Sequence, residues 1–278
     1  MDIKYLRLNF EVMTDTADCC NEMPELKSAI KHSIAKQYMV AEEDKIELPV
    51  REATSTKYWV SGKRSFEAAK AFPGMKVAVL NYANNHSIGG APYLSGAQEE
   101  SLCRCSTLLP CLQAMKEPFY QKHIDMYHNN EMESMGNDDL IYTPDVVVFK
   151  TDVRTDPIYP QMMDSDSWYT ANVITCAAPV LSDPENRPEN YEDIMRARIR
   201  KILDVAAKEG NEVIILGAWG CGAFKNPIAI VSKLFVECLK DYSFPIVVFA
   251  LGTTKNVQGS VFAKALQAEG QQALIDNQ

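Results

Sequence analysis

Residues 77–112 constrain the fold more than any other stretch of the chain. The segment opens with the apolar residues 77–80, which follow a Pro-Gly turn signal and are typical of a strand buried in a largely parallel sheet. Residues 84–90 add asparagines and two glycines, which permit unusual backbone angles and let a ligand approach main-chain N–H groups. A helix is predicted from Ala97. The segment therefore predicts a strand, a loop and a helix in succession.

The following two-thirds of the chain alternate between strand and helix patterns. Further apolar runs predict strands at residues 146–149, 172–177, 213–216 and 246–251. Amphipathic or capped patterns predict helices at residues 119–127, 191–209, 227–240 and 257–268. Strands that alternate with helices indicate an α/β sandwich.

Residues 1–75 are interpreted as a helical amino-terminal extension packed on a core formed by residues 76–278. An apolar residue recurs at every fourth position behind Pro24, which predicts one firm helix there. A second helix is expected at residues 65–71, and short strands are expected at 45–48 and 57–60.

Three further expectations concern single residues. Pro110 is predicted to bend or end the helix that starts at Ala97, because proline lacks the N–H that helix interiors need. His123 and His128 are five residues apart, an interval that does not place two ligands on one helical face, so both are assigned to the surface. His32, among lysines, is expected to be solvated.

The charge and cysteine content exclude several functional classes. A net charge of −9 argues against nonspecific nucleic-acid binding, which needs a basic face. The chain has no apolar run long enough to span a bilayer and no secretion signal, so we expect no membrane partner and a cytoplasmic location, or a nuclear one in a eukaryote. The eight cysteines are interpreted as reduced thiols, and their spacing does not match a structural zinc site. No metal or cofactor is expected.

Gln98, Glu99 and Glu100 occupy the first turn of the predicted helix. The helix dipole stabilises acidic residues there, so this local pattern by itself favours an ordinary structural explanation. Adjacent helical residues point about 100° apart, so the two carboxylates cannot face each other across a glycosidic bond. At most one of them is expected to act as a general acid and base.

A second glycine-rich loop follows the strand predicted at 213–216. Gly217, Gly220 and Gly222 precede a helix, and a strand, a glycine loop and a helix start together favour a cradle for phosphate groups over a plain tight turn. The loop has neither the GxGxxG nor the Gly-Lys-Ser/Thr pattern. An anionic ligand held by backbone N–H groups is therefore compatible with the acidic chain.

The two motifs together resemble a known family. Asn84, the run Gly89-Gly90-Ala91 and, after six residues, Gln98-Glu99-Glu100 resemble the signature of poly(ADP-ribose) glycohydrolases, a triple glycine followed by Gln-Glu-Glu. The resemblance is closest to the bacterial-type, macrodomain-fold branch, and it reappears at residues 216–224. Two residues depart from the pattern, because the third glycine is Ala91 and the residue before the glycines, often proline in the family, is Ile88.

The resemblance implies a macrodomain-like three-layer α/β/α sandwich with a mixed central sheet. It also implies an ADP-ribose glycohydrolase that uses Glu100 as general acid and base, with Glu99 holding ribose hydroxyls. Asn84 would fix the distal ribose and Phe224 would pack against it. The other residues that it implies for ligand binding are Gly89, Gly90, Ala91, Gln98, Gly217, Ala218, Gly220, Cys221, Gly222 and Ala223.

Alternatives to a poly(ADP-ribose) hydrolase remain open at this point. The substrate would be poly(ADP-ribose) or an ADP-ribosylated protein, and a mono-ADP-ribosyl-protein hydrolase is one alternative. A noncatalytic ADP-ribose-binding macrodomain is another, although a pure reader needs no acid at the scissile bond. A nucleotide-sugar enzyme with Cys221 as nucleophile is a weaker alternative, since no histidine is near it in sequence.

Overall fold

A computed structural model of the chain describes residues 3–50, 55–153, 159–181, 183–252 and 257–276. The described strands are β1 Tyr38–Val40, β2 Lys57–Ser61, β3 Val77–Tyr82, β4 Leu140–Val148, β5 Tyr169–Cys176, β6 Val213–Leu216, β7 Ile246–Ala250 and β8 Ala273–Asp276. The described α-helices are α1 Ile3–Glu22, α2 Pro24–Lys36, α3 Ser65–Ala69, α4 Gln98–Cys105, α5 Leu108–Ala114, α6 Lys122–His128, α7 Tyr191–Lys208, α8 Ile228–Leu239 and α9 Val257–Ala268. A π-helical turn at Lys116–Gln121 precedes α6.

The described strands form one mixed sheet in the order β1-β4-β5-β3-β6-β7-β2-β8. Strand β4 is antiparallel to both of its neighbours, and the other adjacent pairs are parallel. Strands β3 and β6 are neighbours, so the loops that leave their carboxyl ends emerge side by side. The fold therefore brings the two sequence motifs together.

Helices cover both faces of the sheet. Alternate residues of a strand point to opposite faces, and in β3 Val77 and Val79 pack with α3, α4 and α5, whereas Ala78 and Leu80 pack with α7, α8 and α9. In β6, Val213 and Ile215 face the first group of helices, and Ile214 and Leu216 face the second. The protein is thus a three-layer α/β/α sandwich, the macrodomain-like fold that the family resemblance implies.

The strands and helices predicted after residue 76 are confirmed, with bounds that agree within a few residues except in β4, which begins at Leu140, six residues before the predicted start. In the first 75 residues, the predicted helix behind Pro24, the helix near residue 65 and the strand near residue 57 are also confirmed. Residues 45–48 form no strand, and neither helix α1 nor strand β1 was expected. Because β1 and β2 belong to the same sheet as the rest, the first 75 residues are not purely helical. The domain boundary at residue 75 stays a prediction.

Two single-residue predictions are wrong. His123 is fully buried, where its Nε2 lies 3.2 Å from Asp139 Oδ2, whereas His128 is exposed as expected. Pro110 does not end the helix that holds the acidic turn, because that helix already stops at Cys105. Pro110 instead lies in the first turn of α5, where a missing N–H leaves no helical hydrogen bond unmade.

His32 is exposed as predicted, and it contacts Asp145 at 2.9 Å. No helix among the described residues combines the length and the apolar character that crossing a membrane requires.

Candidate active site

A cavity of about 530 Å³ lies where the loops after β3 and β6 emerge from the sheet. The loop after β3 and the first turn of α4 form one wall, and the loop after β6 forms another. The predicted residues that line the cavity are Asn84, Gly90, Ala91, Gln98, Glu99, Glu100, Ala218, Gly220, Cys221, Gly222, Ala223 and Phe224. Two distant stretches of the sequence therefore share one cavity.

Glu99 is buried and held by two N–H donors. The backbone N–H of Asn84 donates to Glu99 Oε2 at 2.9 Å, and Asn81 Nδ2 donates to Glu99 Oε1 at 3.2 Å. Burial raises the pKa of Glu99 to about 8, against the lowering effect of these two donors. Burial therefore outweighs the two hydrogen bonds in setting the pKa of this carboxyl.

Glu100 is more open to the cavity than Glu99. The backbone N–H of Ala91 donates to Glu100 Oε1 at 3.1 Å. Among the described residues, none provides a hydrogen-bond partner for Oε2 of Glu100. One oxygen of this carboxyl is thus fixed to the loop, and the other is available to a ligand.

Gly90 packs directly against both carboxyl groups. Its φ is +68°, and a Cβ added there would lie 2.5 Å from Glu100 Oε1 and 3.2 Å from Glu99 Oε2. A side chain at this position would displace the carboxyl of Glu100, so the position requires glycine. The contacts also place the two carboxyls on the same side of the cavity.

The neighbouring residues of this loop have different surroundings. Gly89 also has a positive φ, +67°, but it packs against Leu109 and Cys103, so it supports the loop from behind. Ala91 has no positive φ and its side chain is exposed. The methyl group that replaces the family's third glycine therefore causes no backbone strain.

Gln98 links β3 to α4. Its Oε1 accepts the backbone N–H of Tyr82 at 2.9 Å, and its Nε2 donates to the carbonyl of Leu80 at 2.9 Å and to Ser65 Oγ at 3.0 Å. These bonds fix the start of α4, and hence Glu99 and Glu100, against the end of the strand.

In the loop after β6, the glycines differ in role. Gly220 has a φ of +71°, and its carbonyl accepts a hydrogen bond from Asn226 Nδ2 at 2.9 Å. Gly222 does not have a positive φ, and no described atom lies within 4 Å of the place where its Cβ would be. Gly217 does not line the cavity, since it packs against Tyr82 Oη and the carbonyl of Ala250. Gly217 is therefore a packing residue.

Cys221 and Phe224 lie at the same loop. Burial raises the pKa of the Cys221 thiol to about 12, so the thiol stays neutral and is a poor nucleophile. Phe224 is half-buried and contacts both the cavity and the core beneath it. This geometry argues against a mechanism that uses Cys221.

Sequence reasoning missed several residues of the site. Asn81 is fully buried, and its Oδ1 has no partner among the described residues, while its Nδ2 also donates to Thr175 Oγ1 at 3.2 Å. A polar residue in an otherwise apolar strand was the available signal. Asn226 positions Gly220 and accepts a hydrogen bond from Tyr191 Oη at 2.9 Å. The other cavity-lining residues that were not predicted are Tyr82, Ser87, Ser95, Ala97, Ala178, Trp219 and Leu251.

The fold and the cavity define a macrodomain-like α/β protein, with two acids at the start of one helix and a glycine-rich loop opposite them. Residues 16–151 match the family model for the catalytic domain of microbial-type PARG. Among solved structures, the poly(ADP-ribose) glycohydrolase (PARG) of Thermomonospora curvata superposes with a TM-score of 0.78 at 26% identity, over 92% of this chain and 98% of that one. The chain is therefore similar to microbial-type poly(ADP-ribose) glycohydrolases, in the family model over residues 16–151 and in fold over most of its length.

Two further solved structures contain ligands. The T. curvata enzyme bound to the inhibitor ADP-HPD matches with a TM-score of 0.74 at 26% identity, over 92% of this chain and 98% of that one. The Deinococcus radiodurans enzyme in complex with ADP-ribose matches with a TM-score of 0.69 at 28% identity, over 86% of this chain and 97% of that one. Among curated protein sequences, none matches this chain.

Proposed function

We propose that this protein is a poly(ADP-ribose) glycohydrolase that hydrolyses the ribosyl O-glycosidic bond of poly(ADP-ribose). The observation that carries the proposal is the placement of Glu99 and Glu100 in one cavity with a glycine-rich loop that precedes a helix. Such a loop suits a diphosphate, because backbone N–H groups can bind its charge without basic side chains. The similarity to microbial-type poly(ADP-ribose) glycohydrolases supports the same activity.

Glu100 is the proposed general acid and base. The hydrogen bond from Ala91 fixes Oε1, so the remaining oxygen can deliver a proton to the leaving oxygen as an oxocarbenium-like ribose forms. The same carboxylate then accepts a proton from the attacking water. The diphosphate of the substrate would stabilise the positive charge that develops on the ribose.

Glu99 is proposed to hold the ribose hydroxyls, with Asn84 beside the distal ribose and Phe224 packed against it. The hydrogen bond from the Asn84 backbone fixes the Glu99 carboxyl relative to the loop. Burial also raises the pKa of Glu99 to about 8, so its environment differs from that of the more open Glu100. Gly90, Ala91, Gly220 and the other predicted lining residues shape the cavity.

A reader function is less well supported. Both carboxyls are held by backbone N–H groups at the cavity wall, an arrangement that a module that only binds ADP-ribose does not need. Hydrolysis of a single ADP-ribose from a protein uses the same cavity chemistry, so it is the second candidate. We also propose a cytoplasmic location, in keeping with eight cysteines that form no disulfide in the described chain.

The test is incubation of the purified protein with poly(ADP-ribose) and, separately, with mono-ADP-ribosylated protein, measuring free ADP-ribose. We expect release from the polymer. Glu100→Gln should retain ADP-ribose affinity while kcat falls by about 10² to 10⁴, because the shape remains and the titratable proton is lost. Glu99→Gln is the matched control, and it should weaken binding as well as rate. Binding of ADP-ribose without hydrolysis of either substrate would instead assign the protein as a reader.

A further inference from the structure

Apolar residues of α1 and of the loop before α4 form an exposed surface beside the cavity. Phe10 and Leu94 are 56% and 55% exposed. The rings of Phe10 and Tyr93 lie 5.6 Å apart, and Asn9 Nδ2 donates to the carbonyl of Leu94 at 3.0 Å. We call Phe10, Tyr93 and Leu94 the aromatic rim. The ring contact and the hydrogen bond join helix and loop into one surface.

The loop that carries Tyr93 and Leu94 of the aromatic rim also contacts Glu100. Ala91, whose N–H donates to Glu100 Oε1 at 3.1 Å, lies two residues before Tyr93. Consecutive Cα atoms are about 3.8 Å apart, so the Cα of Tyr93 is within about 7.6 Å of that of Ala91. Ala91 and Ser95, on either side of Tyr93, both line the cavity. The loop that carries Tyr93 and Leu94 therefore also lines the part of the cavity that holds the proposed acid.

The loop that carries the rim is held in place from below. Arg104 is buried, and its Nη1 donates to the carbonyl of Pro92 at 2.7 Å and to that of Ser95 at 2.6 Å. The backbone N–H groups of Leu94 and Ser95 both donate to the carbonyl of Ala91 at 2.9 Å. A surface fixed in this way loses little conformational entropy when a ligand binds.

The chemistry of the polymer indicates what must lie at this surface. The oxygen that leaves when the ribose–ribose bond is cleaved belongs to the adenosine of the adjoining unit, whose adenine is attached to the next carbon of the same ribose. An adenine therefore emerges close to Glu100. Exposed aromatic side chains stack on bases of any sequence.

We propose that the aromatic rim binds the adenine of the adjoining ADP-ribose unit, so that the site favours poly(ADP-ribose) over a single ADP-ribose on a protein side chain. This assignment rests on the proposed function. It gives α1, which lies outside both sequence motifs, a role in substrate selection.

The test measures affinity in the Glu100→Gln background, where substrates survive. Phe10→Ala and Phe10→Leu should weaken binding of short poly(ADP-ribose) oligomers by roughly 5- to 150-fold, the range for loss of one base–aromatic stack. Phe10→Trp should retain oligomer affinity, because it keeps a ring. None of the three should change the affinity for ADP-ribose. Leu274→Ala, at a residue 60% exposed on the edge strand β8, is the control and should change neither affinity.

Three outcomes would overturn the assignment. The first is an unchanged oligomer affinity in Phe10→Ala. The second is an equal loss of affinity for oligomers and for ADP-ribose, which would mean that the cavity itself was disturbed. The third is weaker binding of mono-ADP-ribosylated protein alone, which would assign the rim to the protein part of that substrate. Failure of the proposed function is a separate observation, namely no release of ADP-ribose by the wild type.

Discussion

Gly90→Ala should separate the geometry of the acid from the stability of the fold. Gly90 has a φ of +68°, and an alanine in this left-handed conformation should lower the free energy of unfolding by about 1–2 kcal/mol. The new Cβ would lie 2.5 Å from Glu100 Oε1, whereas ordinary contacts begin at 3.4 Å, so the carboxyl must move by roughly 1 Å. A displacement of that size costs a rate factor on the order of 10².

Gly74→Ala provides the matched control. Gly74 has a φ of +79°, and no described atom lies within 4 Å of its added Cβ. Gly74→Ala should lose about 1–2 kcal/mol of unfolding free energy, and Gly90→Ala should lose at least as much because its Cβ also displaces a carboxyl, but only Gly90→Ala should lose activity. Urea denaturation measures the first quantity, and initial rates of ADP-ribose release measure the second.

Two results would refute the reasoning. A folded Gly90→Ala protein with the wild-type kcat would show that the position of the Glu100 carboxyl does not limit the reaction. An equal loss of activity in Gly74→Ala would show that the loss follows from destabilisation alone.

Further predictions concern pH, the glycine loop and a buried lysine. The pKa of Glu99 is raised from 4.5 to about 8 in the native state, so as pH rises the unfolded chain releases this proton before the folded chain does. The free energy of unfolding should therefore fall between pH 5 and 8, by up to about 1.4 kcal/mol per pH unit. Glu99→Gln should remove that component, as urea denaturation at each pH can show; an identical pH dependence in the variant would contradict it. Gly220→Val should abolish ADP-ribose binding, because the Cβ at this position would lie 2.5 Å from both Ala178 Cβ and Asn226 Nδ2. Gly222→Ala should remain folded and bind ADP-ribose, because no described atom lies within 4 Å of its Cβ, and calorimetry can test both variants. Lys150→Met should lower the free energy of unfolding by about 1–3 kcal/mol, because the buried Lys150 Nζ donates a hydrogen bond to Thr16 Oγ1 at 2.7 Å and so connects α1 to the core. An unchanged free energy of unfolding would contradict this role.

The sequence by itself determined the local framework of the site. Apolar runs with helical or strand periodicity are local signals, so β3, β6, α7 and the acidic start of α4 follow directly from the chain. The glycines before the acids follow in the same way, since Gly89 and Gly90 do take positive φ values. These features depend on neighbours only a few residues away.

Only the tertiary structure decided which residues meet and which are buried. The edge strands β1 and β8 are short and pair with partners far along the chain, so their own residues carry little signal. His123 is buried with its Nε2 3.2 Å from Asp139 Oδ2, and helical spacing cannot reveal this contact with a residue sixteen positions later in sequence. Likewise, Gly217 packs against Tyr82 although a glycine-rich loop predicts ligand contact.

In the cavity too, the sequence determines some features and the tertiary structure determines others. Glu99 and Glu100 are recognisable in the sequence, but the raised pKa of Glu99 comes from its burial in the folded protein, which outweighs the hydrogen bonds from Asn84 and Asn81. The aromatic rim depends on Phe10 of α1, which lies 90 residues before Glu100 in the chain. Desolvation and long-range contacts are properties of the packed chain, so the residue types follow from the sequence and their chemical environment follows from the fold.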